Sequence, residues 1–108
     1  MKINIKGTGL DLTPPLKEYI AKRLEPLSKF VKRYEEKGEI QMFVEVARTT
    51  KHHHKGNVFY AEVTLELPKK VLRAEAIDSD VRSAIDRTKD ILRREMESYK
   101  EKNAWKSL

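Results

Sequence analysis

The side chains with most chemistry to offer are cationic and periodic. At about 100° per residue, Lys22, Lys29 and Arg33 fall within one outward stripe of a helix. Arg82, Lys89, Arg93 and Lys100 line one edge of a later helix, with Arg87 and Arg94 nearer its opposite face and Lys102 extending the basic end. A helix of about 20 residues is about 30 Å long, so two such rows can follow successive phosphates of a folded nucleic acid. Lysine supplies a point charge there, whereas arginine grips phosphate bidentately or stacks on a base. Self-pairing is the competing reading of the later helix, where Asp86 and Asp90 are interleaved with the bases and Arg82 stands four residues from Asp86. The earlier helix resists it, since residues 13–34 hold six bases against only Glu18 and Glu25.

The loop TTKHHHKG admits three readings. Of its three adjacent histidines, only His52 and His54 share a face in an extended chain. No neighbouring carboxylate completes a metal site, so no metal is assigned. A plain polar hairpin tip is the second reading. The third is nucleic-acid contact by His52, His53 and His54, because imidazole stacks on bases or donates to phosphate and Lys51 and Lys55 flank it with charge.

Catalytic patterns are weak throughout. Asp78, Asp80, Asp86 and Asp90 suit helix caps and solvated positions better than acid–base work. The serines lie outside any GxSxG context, and no glycine-rich loop resembles a phosphate cradle. The chain reads as a non-enzyme without a cofactor. It has no cysteine, which excludes disulfides, thiol catalysis and cysteine-ligated zinc. Its 108 residues suit one domain, and 39% hydrophobic against 37% charged residues gives a core wrapped in charge. No apolar run approaches a membrane span or a secretory signal, so a cytoplasmic protein is expected. The net charge of +6 favours a polyanionic partner, with residues 1–38 holding nine bases and five acids.

The elements that must carry these groups follow from periodicity. Ile3 and Ile5 alternate with polar residues over 2–6, a strand that Gly7 and Gly9 break. Thr13 before Pro14 signals a helix start, and Leu16, Ile20, Leu24, Leu27, Val31 and Tyr34 keep one face apolar to about residue 33. Pro26 predicts a kink or restart near Glu25. Strands over 40–48, 57–67 and 71–77 form a meander, their apolar sides being Ile40, Met42, Val44 and Val46, then Phe59, Ala61, Val63, Leu65 and Leu67, then Leu72, Ala74 and Ala76. Asp78 or Ser79 then caps a last helix, with Asp80 in its first turn and Val81, Ala84, Ile85, Thr88, Leu92, Met96 and Tyr99 on its buried stripe. The order β-α-β-β-β-α, with one apolar sheet face and two amphipathic helices, predicts an α+β two-layer sandwich with both helices on one face of a four-stranded sheet.

The segments KINIKGTGLDLTPPLKEYIAKRL, HHHKGNVFYAEVTLELP, LRAEA and AIDRTKDILRRE, in this order and spacing, together resemble the ribosome hibernation-promoting factors, also called ribosome-associated translation inhibitors (the sigma-54 modulation protein family). The similarity covers residues 1 to about 102. It implies the same β-α-β-β-β-α fold and a single ribosome-binding domain over 1–102, with 103–108 a loosely held tail. It also implies a role in translation regulation and the stress response: binding to the small ribosomal subunit and its rRNA at the A and P sites of the mRNA/tRNA channel, blocking translation sterically. Arg23, Arg94, Lys100 and Lys102 match basic positions of the family; Lys22, Lys29, Arg33, Lys55, Arg82 and Lys89 join them from charge geometry. Pro26 and Ile91 stand where relatives often carry lysine, and Lys69 where a turn glycine is usual. The chain resembles the short form, no second domain following, and a monomer is favoured for the free protein. Two rivals remain: a double-stranded RNA-binding domain, whose last helix should open with a lysine clamp rather than DSDVRSAID, and a protein-interaction module or small-ligand enzyme.

Overall fold

The computed structural model describes residues 1–49 and 58–106, with the side chains of 103–106 left aside. Strand β1 (Lys2–Thr8) leads into helix α1 (Pro14–Leu24), a 3₁₀ turn (Glu25–Leu27) and helix α2 (Ser28–Glu35). Strands β2 (Gln41–Thr49), β3 (Val58–Glu66) and β4 (Val71–Asp78) follow, and helix α3 (Val81–Lys106) closes the chain. The sheet order is β1-β2-β3-β4, with β1 parallel to β2 and the other pairs antiparallel. The parallel pair is the consequence of a helical crossover between β1 and β2.

Local chemistry accounts for the boundaries. Thr13 Oγ1 accepts the Leu16 N–H at 3.4 Å, and proline fills the first helical positions of α1. Pro26 cannot donate to the helical ladder, so the rod predicted over 14–33 divides at the 3₁₀ turn, where a kink was expected. Strand β1 runs two residues beyond its predicted end. Leu12 packs over Gly7, where a Cβ would stand 2.8 Å from Leu12 Cγ. The chain turns only at Gly9, whose φ of 70° suits glycine. The cap of α3 also differs from expectation. Asp80, rather than Asp78 or Ser79, accepts the Ser83 N–H at 3.0 Å, while Asp78 accepts the Asp80 N–H at 3.2 Å and shapes the approach. The α3 backbone stays helical through Lys106.

The core lies between the helices and one sheet face. Ile20, Leu24, Leu27 and Val31 from the first helical segment and Ala84, Ile85, Leu92 and Met96 from α3 close over Met42, Val44, Val46, Ala61, Val63 and Leu65. Each large aliphatic side chain so buried contributes roughly 1.5–3 kcal/mol. Thr88 is the one buried polar residue among those described; its hydroxyl lies 2.8 Å from the Ala84 carbonyl and 3.3 Å from that of Ala61 in β3.

Among the described residues, no helix covers the other sheet face. Lys6, Glu45, Glu62 and Glu75 form one rung across all four strands, and Tyr60 donates to Glu62 and Glu75. This open face holds three bases (Lys2, Lys6, Arg73) against four acids (Glu45, Glu62, Glu66, Glu75), whereas the helical segments hold fourteen bases against eight acids. The cationic excess is therefore on the helix layer.

Candidate nucleic-acid interface

After the break at Pro26, α2 lies beside the C-terminal half of α3. Between them lies a groove of about 420 Å³, lined by Lys29, Phe30, Val31, Lys32, Arg33 and Tyr34 on one side and by Met96, Tyr99 and Lys100 on the other, with Leu67 and Leu72 also lining it. Tyr34 and Tyr99 are half-buried, their ring centroids 6.1 Å apart at 42°. Lys29, Lys32, Arg33 and Lys100 are exposed, and no carboxylate lines the groove among the described residues. A rim of four cations around aromatic edges holds phosphate by charge and offers π surface to an unstacked base.

The predicted site residues divide among several places. Lys29, Arg33 and Lys100 meet at the groove. Lys32, Tyr34 and Tyr99 join them there, and the two tyrosines, which helical periodicity puts on core stripes, both pack against the core and line the groove. Lys102 lies on the far flank of α3, in a recess with Lys69, Lys70, Glu95 and Ser98. Arg94 turns its Nε toward its own helix, 3.4 Å from the Asp90 carbonyl. Lys22 is exposed on α1. His52, His53, His54 and Lys55 lie outside the described residues.

Arg23 and Arg82 belong to a junction between α1 and α3. Arg23 Nε donates to Asp86 Oδ1 at 2.8 Å, and the Tyr19 hydroxyl donates to the same carboxylate at 2.8 and 2.9 Å. The Arg23 and Arg82 guanidiniums lie over the Tyr19 ring, 5.6 and 4.8 Å from its centroid. Asp86 thus pairs across the helix interface with Arg23, not along its own helix with Arg82. The reason is geometric: α1 presents Tyr19 and Arg23, one turn apart, to the α3 edge that carries Asp86. Arg23 carries a compensated charge and fastens the helices together. The Arg23 hydrogen bond, reinforced by Tyr19, holds the Asp86 carboxyl below its ordinary pKa against a smaller opposing effect of burial. Burial, and then Asp86 itself, pushes the Tyr19 phenol up.

A pH prediction follows. A depressed native pKa means that Asp86 contributes its stability above the ordinary carboxylate pKa of about 3.9 and loses it as pH falls through the lower native value. Asp86→Asn should cost about 1 kcal/mol at neutral pH. That difference from wild type should hold down to about pH 4 and shrink below it. Urea unfolding midpoints of both proteins across pH check this, and a difference that grows on acidification contradicts it.

No metal-binding cluster of three or more ligating side chains occurs, and no helix is long and apolar enough to cross a membrane, among the described residues.

Known proteins share the fold and the sequence pattern. Two solved structures share the fold: the Thermus thermophilus Protein Y N-terminal domain (TM-score 0.70, 27% identity, 92% of this chain and 99% of that one) and a ribosomal subunit interface protein from Coxiella burnetii (TM-score 0.73, 20% identity, 94% and 99%). Among curated relatives, a ribosome hibernation promoting factor of Pseudomonas putida is 28% identical over 102 residues, covering 94% of this chain and 89% of its own. Ribosome hibernation promotion factors of Picosynechococcus and Deinococcus radiodurans are 30% and 25% identical, covering 95% and 89% of this chain. The chain spans about half the length of these last two, 51% and 47%. The family model described as sigma 54 modulation protein / S30EA ribosomal protein matches residues 3–104, and the chain belongs to that family.

Proposed function

We propose that this protein is a ribosome hibernation factor that occupies the mRNA/tRNA channel of the small subunit across the A and P sites and excludes translation ligands by bulk. Family membership and the hibernation factors among its relatives support a ribosomal partner, and with it a cytoplasmic setting. The observation that carries the RNA-directed part is the groove between α2 and α3, where four exposed cations accompany two tyrosines and, among the described residues, no carboxylate lines the walls. Stacked bases and neutralised phosphates are the contacts such a surface makes with single-stranded or irregular rRNA. Generic duplex RNA suits it less well, because Asp78 and Asp80 sit at the start of α3, where a duplex-binding helix would need cations. The action is steric and needs no covalent chemistry from the protein.

Adding the purified protein to vacant ribosomes tests this reading. Sedimentation with the small subunit, an rRNA footprint confined to the A and P sites and inhibited translation initiation are the expected results. A footprint outside the channel, or binding to the large subunit alone, overturns the reading.

A further inference from the structure

Strand β4 is a sheet edge whose sequence is complementary to itself. The hairpin from β3 sets its backbone phase: Leu67 and Lys70 face each other across the turn, the Leu67 N–H reaching the Lys70 carbonyl at 2.8 Å and the Lys70 N–H lying 3.5 Å from that of Leu67. Hydrogen-bonded pairs alternate along an antiparallel ladder. Leu72, Ala74, Ala76 and Asp78 therefore bond to β3, and Val71, Arg73, Glu75 and Ile77 direct their N–H and C=O groups away from the sheet. Arg87 agrees with this phase, since its Nη1 donates to the outward Ile77 carbonyl at 2.6 Å and lies 3.5 Å from Asp78 Oδ2; at this end of the strand a second copy's Val71 N–H and Lys70 take over those two acceptors from Arg87.

A two-fold axis perpendicular to the sheet, midway between Ala74 and its copy, pairs these outward groups with those of a second copy. Arg73 then faces Glu75, Val71 faces Ile77, and Lys70 faces Asp78, each twice, with Leu72 opposite Ala76 on the core side. The segment KVLRAEAID reads as a palindrome with its charges inverted. Val71 and Ile77 are among the few large hydrophobic residues left exposed, at 56% and 50%. Opposite charges and paired aliphatics are the cross-strand contacts that stabilise a ladder, and a slip by one pairing step opposes unlike partners.

Helix α3 runs over the same level of the sheet. The Thr88 hydroxyl meets the Ala61 carbonyl opposite Ala76, and Glu95 and Ser98 border Leu72, so the level of Ala74 falls near Ile91. Ile91 is half-buried and on the α3 flank that carries Arg87 and Ser98, away from α1. The axis brings it toward its own copy.

We propose that β4 is a homodimerisation edge, pairing with β4 of a second copy in the register centred on Ala74 to form one continuous eight-stranded sheet. Both helix layers then lie on the same side, and the groove between α2 and α3 stays open in each copy. Charge on an edge strand ordinarily prevents association. Here its arrangement admits one partner in one register.

Sedimentation equilibrium of the intact chain from micromolar to millimolar concentration tests the proposal, with circular dichroism confirming the fold of every variant. Wild type should show a monomer–dimer equilibrium. Arg73→Glu places Glu opposite Glu75 twice, and Glu75→Arg places Arg opposite Arg73 twice. Each should raise the dimer dissociation constant by about tenfold or more. An equal mixture of the two restores both pairs, so it should dimerise where neither variant does alone. Val71→Lys, at an exposed position, should weaken the dimer without disturbing the monomer. A wild type that stays monomeric throughout, or single reversals and a mixture that all behave alike, overturns the proposal.

Discussion

Replacing Lys29, Arg33 and Lys100 together by glutamate is expected to abolish co-sedimentation with small ribosomal subunits while leaving the unfolding transition nearly unchanged. All three side chains are exposed on the groove between α2 and α3, and no ion pair among the described residues holds them. Their loss therefore removes little from the fold. A lysine or arginine that neutralises one phosphate displaces a counterion, and at about 0.15 M salt each such contact contributes roughly fivefold in affinity. Three lost contacts amount to on the order of a hundredfold, and reversal adds repulsion to the loss. Net charge alone is controlled by reversing Lys2 and Lys6, which project from the open sheet face and should weaken binding far less per charge. Equal loss from both faces would remove the groove from the binding account.

The second large effect is on salt dependence. If about six cations of the helix layer meet phosphates, affinity should fall roughly a thousandfold between about 50 and 200 mM salt, as a straight line in log–log form. The triple variant should flatten that line by about three contacts' worth. Binding titrations at four or five salt concentrations give both slopes. A nearly flat wild-type line would mean that the ribosomal contact is made with protein rather than RNA.

Most of the architecture was legible in the chain. The alternation of Met42, Val44 and Val46 and of Ala61, Val63 and Leu65 marks a sheet with a single apolar face, and burial follows that alternation. Pro26 announced the break that separates α1 from α2, because the loss of one donor acts locally whatever the tertiary context. The interface was legible only in part, since its groove joins residues 29–34 to residues 96–100. Helical periodicity assigns Tyr34 and Tyr99 to a buried stripe and cannot say that the stripe ends at a cleft. The Asp86 pairing shows the same limit. Four-residue spacing proposed Arg82, but a tertiary contact with Arg23 prevailed, and nothing local to either helix reveals where α1 crosses α3.

The open sheet, where acids outnumber bases, and the cationic helices on the opposite layer together make the molecule an electric dipole directed from one layer to the other. In the field of a large polyanion such a body experiences a torque before it experiences contact. Encounters that begin sheet-first are turned or repelled, and those that begin helix-first are captured. The aligned glutamates on a face remote from the groove thereby become a determinant of association rate, a quantity that equilibrium affinity alone does not report.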